Sequence, residues 1–203
     1  MPYIQTVAAP LRHEIDKIKG SRFLTAVHPV RDLDEIDAFL SDCRETYRDA
    51  NHNCFAWRLA GADRMRYSDD GEPSGTAGRP ILQEIDGRDL VDVAVVVTRY
   101  FGGTRLGTGG LVRAYGGAAA AALDLAEIVR HRLVETVGLT FDYTLTGPVQ
   151  GILSAYDLMP TASDYGADVR LELSVPIEQV DEVRRALLDG THGKARLDGS
   201  DDD

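Results

Sequence analysis

The chain has 203 residues, 43% of them hydrophobic and 27% charged, and a formal net charge of −11. That suffices for one ordinary domain or two small ones with a real core and excludes wholesale disorder; no apolar run nears the roughly 20 residues of a spanning helix. The start MPYIQTVAAPLRHEIDK lacks a secretion-signal pattern, and two cysteines are too few for a disulfide scaffold, so a cytoplasmic protein without membrane contact is expected, and one too acidic to coat nucleic acid by bulk attraction.

The first part of the chain mixes strand and helix signals. Phe23 to Val27 predicts a strand, and Ile36, Phe39, Leu40, Cys43 and Tyr47 recur at helical spacing behind the acidic start Asp32-Leu33-Asp34-Glu35. Cys54 to Leu59 and Arg64 to Tyr67 predict two strands around the turn Gly61-Ala62-Asp63. Ala77 to Ile85 predicts a short helix. The β-branched run Val91 to Thr98 predicts a buried strand, and the alanine-dense Gly109 to His131 one long helix. From Glu135 the pattern becomes regular. Strands are predicted at Glu135 to Leu145, Thr161 to Tyr165, Val169 to Val175 and Lys194 to Leu197, with helices opened by Pro148 and following Pro176. Strand, helix, strand, strand, helix, strand is the ferredoxin-like order. The expected organisation is therefore an α+β chain with domains at 1–132 and 133–198, a boundary near Arg132 to Glu135, and an acidic tail at 199–203.

Charge is unevenly spread. Arg99 to Leu123 holds Arg99, Arg105 and Arg113 and no acid, whereas Asp124 to Asp203 holds 16 acids and 7 bases. Within the acid-free stretch, Arg99-Tyr-Phe-Gly-Gly-Thr-Arg-Leu-Gly-Thr-Gly-Gly110 leaves a predicted strand and enters a predicted helix. Gly102, Gly103, Gly107, Gly109 and Gly110 let backbone approach a ligand. The helix start directs N–H groups at it, the three arginines add donors for phosphate or carboxylate, and Tyr100 and Phe101 offer stacking faces. It is not a Walker loop, since Thr108 stands where lysine is required. It is not a Rossmann fingerprint, since Val112 stands where Gly or Ala is expected. An anion or nucleic-acid surface is the expectation, against a tight strand-to-helix turn as the alternative.

A second polar segment, Ser68-Asp-Asp-Gly-Glu-Pro-Ser-Gly-Thr-Ala-Gly-Arg-Pro80, groups Asp69, Asp70 and Glu72 but lacks calcium-loop spacing. It reads as an ordered turn in which Ser74 or Thr76 caps the next helix. With Arg79 beside it, the segment is expected to form the second loop of a composite site, without metal or cofactor. At His52-Asn53-Cys54, period-2 alternation puts His52 and Cys54 on one face of a strand. No cysteine-hydrolase context surrounds them, so Cys54 reads as a small core residue and no catalytic residue is assigned.

The segments Lys19-Gly20-Ser21-Arg22-Phe23, HNCFAWRL at 52–59, SDDGEPSGTAGRPIL at 68–82 and VVVTRYFGGTRLGTGGLVRAYGGAA at 95–119 together resemble the IMPACT family in its bacterial, YigZ-type, two-domain form. The resemblance implies an N-terminal domain similar to the second domain of a small-subunit ribosomal protein and to domain IV of elongation factor G. It also implies a C-terminal ferredoxin-like domain similar to domain V of that factor. Eukaryotic relatives restrain an amino-acid-starvation kinase through an extra N-terminal domain. This chain opens directly on the shared domain, so that role is not expected here. Nor is the dipeptidase activity attached to some bacterial relatives, because no metal-ligand set is readable. The resulting expectation is a non-catalytic protein that binds RNA or the ribosome and modulates translation, with a protein partner in that machinery also open. Two alternatives stay beside it: an enzyme acting on a small anionic metabolite through the glycine-rich loop, and a protein-interaction module.

Overall fold

The computed structural model describes residues 3–61 and 64–198. Ala62 and Asp63 of the expected turn, and the acidic tail at 199–203, lie outside the described residues. The chain forms two compact units: one spans Ile4–His131, and the other comprises the chain from Arg132 onward together with Tyr3. Both combine helices with antiparallel sheets, an α+β architecture. No helix among the described residues is long and apolar enough to cross a membrane.

The N-terminal unit runs β1 (Tyr3–Val7), β2 (Leu11–Ile18), β3 (Ser21–Pro29), α1 (Leu33–Thr46), β4 (His52–Arg58), β5 (Met65–Ser68), α2 (Gly78–Asp86), β6 (Val93–Tyr100), α3 (Thr108–Leu125) and β7 (Ile128–Arg132). Five strands form one sheet in the order β2-β3-β6-β4-β5, every neighbour antiparallel. The central β6 is buried from Val93 to Arg99, which explains its unbroken β-branched run: both faces are covered. Phe23, Val27, Cys54, Val95 and Val97 pack against α2 and α3. Ala26, Phe55, Trp57, Ala94 and Val96 form the opposite face, under Ile36, Phe39, Leu40 and Cys43 of α1. In α3 the buried Ala114, Ala118, Ala119 and Ala122 let the helix lie close on the sheet.

Most predicted elements are present with ends shifted by one or two residues, β1, β2 and β7 have no counterpart in the sequence expectation, and two element ends fall well short of it. The helix expected to reach His131 stops at Leu125. Ala126 takes an extended backbone (φ −72°, ψ 136°), and Ile128–Arg132 becomes a strand paired with β1. A local pattern cannot reveal a partner at the far end of the unit's sequence. The strand expected to reach Leu145 ends earlier, because the Asp142 carboxylate accepts the Thr144 N–H at 2.9 Å and starts a 3-10 turn.

The C-terminal unit runs β8 (Val134–Phe141), α4 (Thr146–Ala155), β9 (Pro160–Tyr165), β10 (Val169–Pro176), α5 (Val180–Gly190) and β11 (Arg196–Leu197). Its sheet has the order β11-β8-β10-β9, all antiparallel, which is the fourth-first-third-second arrangement of a βαββαβ unit. Along β10, Val169, Leu171, Leu173 and Val175 join the core with Val149, Leu153, Val183 and Leu187 of the helices, while Arg170 and Glu172 face outward.

Candidate functional site

The segment between β5 and α2 is an ordered loop closed by its own first residue. Asp69 Oδ2 accepts the N–H of Gly75 at 2.8 Å, and its Oδ1 accepts those of Ala77 and Gly78 at 2.9 Å each. Partial burial pushes the Asp69 carboxyl up, but these three donors outweigh it and hold the group below its ordinary value. Asp69 therefore caps α2. Ser74 is exposed, and the Thr76 hydroxyl instead donates to the Pro73 carbonyl at 2.6 Å, which corrects the expected cap. Asp70, at φ +41°, accepts the Asn53 N–H at 2.6 Å, and its carbonyl lies 2.8 Å from His52 Nδ1.

Glu72 turns inward and becomes the centre of a buried network. Its side chain is 5% exposed, as is that of Arg99. Glu72 Oε1 accepts from Arg99 Nη1 at 2.6 Å and from the Tyr115 hydroxyl at 2.7 Å, and lies 3.8 Å from His52 Nε2. Burial above all, with Cys54 and Glu72 as further causes, pushes the Tyr115 phenol up, so it stays a donor. Burial likewise pushes the Cys54 thiol up to about 12, and its Sγ donates to the Asp69 carbonyl at 3.0 Å. Arg99 Nη2 donates to Ser21 Oγ at 3.2 Å, and the Gly102 N–H donates to the same oxygen at 3.2 Å. The Arg99 guanidinium stands 5.6 Å from the ring centre of Phe23 and 5.4 Å from that of Phe101. Its Nε has no hydrogen-bond partner among the described residues.

The two loops thus meet. Between them lies a cavity of about 350 Å³, walled by Glu72 and Pro73 on one side and by Arg99, Phe101, Arg105 and Thr108 on the other. The expected site residues divide into three groups. Arg99 is buried in the cavity wall and not displayed as a free cation: its charge is paired with Glu72, which no inspection of an acid-free stretch could show. Tyr100 is also withdrawn. Strand alternation turns it to the face opposite Arg99, where its hydroxyl donates to Asp49 at 2.8 Å and the Arg22 guanidinium covers its ring at 5.4 Å. Gly102 serves packing: a Cβ there would sit 1.9 Å from the Gly20 carbonyl carbon, so the β2–β3 hairpin touches this loop backbone to backbone.

The remaining residues stay available. Arg105, Arg113 and Arg79 are exposed and form no ion pair among the described residues, and Gly103 lies in open space. Gly107 (φ +74°) caps α3 without a side chain to fill its N-terminal donors, and Gly109 and Gly110 lie in the first turn. The three carboxylates do not converge. Each already accepts from a named donor, and no cluster of three or more His, Cys, Asp or Glu side chains disposed to hold a metal occurs among the described residues. Sequence reasoning missed Tyr115, Ser21 and the partnership of His52 with Glu72. The one available signal was a single phenol in an otherwise alanine- and glycine-rich helix.

Fold and site together define a two-unit α+β protein whose N-terminal unit holds all the motif loops. Residues 19–123 match the Impact N-terminal domain, and residues 139–194 match a domain of unknown function, DUF1949. The chain is 37% identical to the IMPACT family member YigZ of Escherichia coli over 94% of both chains. It is 31% identical to Protein IMPACT of Rattus norvegicus over 44% of this chain and 29% of the rat protein. A crystal structure of a hypothetical protein covers 100% of both chains with a TM-score of 0.73 at 35% identity. The chain belongs to the IMPACT family.

Proposed function

We propose that the protein binds RNA, free or on the ribosome, through the face around the glycine-rich segment, and that it modulates translation without catalysing a reaction. The observation that carries this reading is the state of Arg105 and Arg113. In a chain of net charge −11, both remain exposed, without an ion pair among the described residues, and next to a helix start that no side chain caps. The buried Arg99–Glu72–Tyr115 network beneath them fixes the loop from which Arg105 projects, so a phosphate would meet an already ordered surface. Kinship with a rat Protein IMPACT and the expected likeness to elongation factor G domains IV and V support the same direction. The outer face of the C-terminal sheet carries Arg170 beside Glu172, and Asp124 to Asp203 holds 16 acids against 7 bases, so the acid-free stretch of the N-terminal unit is the better attractor of phosphate.

The test is binding to ribosomes and to a structured RNA, by sedimentation and filter retention, with the Arg105→Ala/Arg113→Ala variant beside the parent. With Arg99 internal, two contacts remain. They give a log–log salt slope of about −1.4, or roughly a sevenfold loss over a fourfold rise in salt. The variant should keep its melting temperature and lose both the affinity and the slope. Equal binding by a folded variant would remove this face as the site.

A further inference from the structure

We propose that the cavity between the two loops seats one nucleotide of a single RNA strand, its phosphate on Arg105 and the N-terminal end of α3, its base on Phe101. The inference rests on the reading of this face as RNA-contacting and narrows it to one subsite. Size sets the first limit. About 350 Å³ is at the small end of the roughly 300–1,000 Å³ typical of small-molecule sites, room for one nucleotide and not for two.

Charge sets the second limit. The only carboxylate in the wall, Glu72, is neutralised by Arg99 at 2.6 Å, so Arg105 remains as the net cation. Beside it α3 begins on Gly107, which brings no capping side chain, and the helix continues for 18 residues with its positive end at this wall. A third observation is independent of the helix. Arg99 is 4% exposed and borders the cavity, and its buried Nε–H has no acceptor among the described residues. A buried donor without an acceptor is costly, and a ligand oxygen is what would complete it. The last wall suits a base. Phe101 is 46% exposed at the cavity, with the Arg99 guanidinium 5.4 Å from its ring centre and Leu106 and Leu111 close by, a flat apolar platform backed by a cation. A phosphate donor set and a stacking face within one nucleotide's reach describe a phosphate joined to a base.

The experiment is an NMR titration of the full chain with inorganic phosphate, adenosine, a nucleoside 5′-monophosphate and a single-stranded hexanucleotide. The parent is compared with Phe101→Ala, Phe101→Leu and Arg105→Ala, each checked for fold by circular dichroism. The mononucleotide is expected to move the amides of Phe101 and of Thr108 to Leu111, phosphate those of the helix start alone, and the hexanucleotide should bind tighter than the mononucleotide. Phe101→Ala should weaken the mononucleotide about tenfold and leave phosphate unchanged, with Phe101→Leu intermediate. Arg105→Ala should weaken both. No response of these amides to millimolar mononucleotide would overturn the inference, as would equal loss of phosphate and mononucleotide in Phe101→Ala. RNA binding sensitive to Arg105 and Arg113 without any mononucleotide signal would overturn this subsite and leave the RNA surface standing. Mononucleotide binding with no gain from the hexanucleotide would assign the cavity to a free nucleotide and overturn the RNA-strand claim, while the RNA surface stands or falls on the ribosome and structured-RNA test.

Discussion

At the scale of single residues, the decisive feature is that one carboxylate oxygen of Glu72 collects Arg99 and Tyr115 from elsewhere in the unit. Arg99 lies 27 residues away and Tyr115 43, on a strand end and a helix respectively. Replacing Arg99 by Met leaves a buried carboxylate without its counter-charge and should destabilise the fold by about 3–5 kcal/mol. The double variant Arg99→Met/Glu72→Leu should recover much of that loss, because no charge is then left alone. Urea denaturation of the two variants beside the parent checks both statements; equal losses would show that Arg99 contributes packing only. Here the sequence was legible by composition and illegible by contact. The acid-free run around Arg99 marked the right neighbourhood, but a cation's partner is a matter of folding, and Glu72 lies on another loop.

At the scale of elements, most strands and helices follow from periodicity, because β6 is covered on both faces and α1 and α5 on one. The failures came where an end or a cap depends on residues outside the element: β7 on its pairing with β1, the end of β8 on the Asp142 turn, and the cap of α2, whose span was read to within a residue, on the carboxylate of Asp69, nine residues before Gly78. That cap has a pH signature. The folded Asp69 carboxyl lies below its ordinary value, so its contribution is complete above an unfolded value of about 3.9 and is lost as pH falls through the folded one. Glu14, Glu35, Asp142 and Glu178 are also held low and steepen the same acid limb. The difference between the parent and Asp69→Asn isolates one group. The Asn variant should be less stable at neutral pH and should approach the parent in acid. A constant gap from pH 7 to pH 2 would show that the carboxylate charge is not what holds the loop.

At the scale of the whole molecule, we propose that the two compact units are separate folding units joined near Arg132 to Glu135. Each has its own core: Phe23, Ile81, Val95 and Tyr115 in the first, Val137, Leu173, Val183 and Leu187 in the second. Trypsin meets Arg130 and Arg132 at that junction. Brief digestion should yield two resistant fragments, identified by mass spectrometry. A single resistant species spanning the junction, with one calorimetric transition, would argue for one cooperative body. The regular pattern of the C-terminal unit was readable because β10 alternates by burial and α4 and α5 each bury one apolar stripe. The N-terminal sheet interleaves strands distant in the chain, and its strand order had to come from the structure.

The contact of Gly102 with Gly20 bears on motion. Glycine-rich segments usually act as hinges, since their backbone explores many states at little cost. Here one such residue is wedged against another backbone, and its amide is tied to Ser21. Freedom that the composition would suggest is spent before any ligand arrives. Gly103 and Gly107 stand in open space. The segment is therefore anchored at its root, and the turn that carries Arg105 keeps its place on the sheet with nothing standing over its glycines to block an approaching ligand.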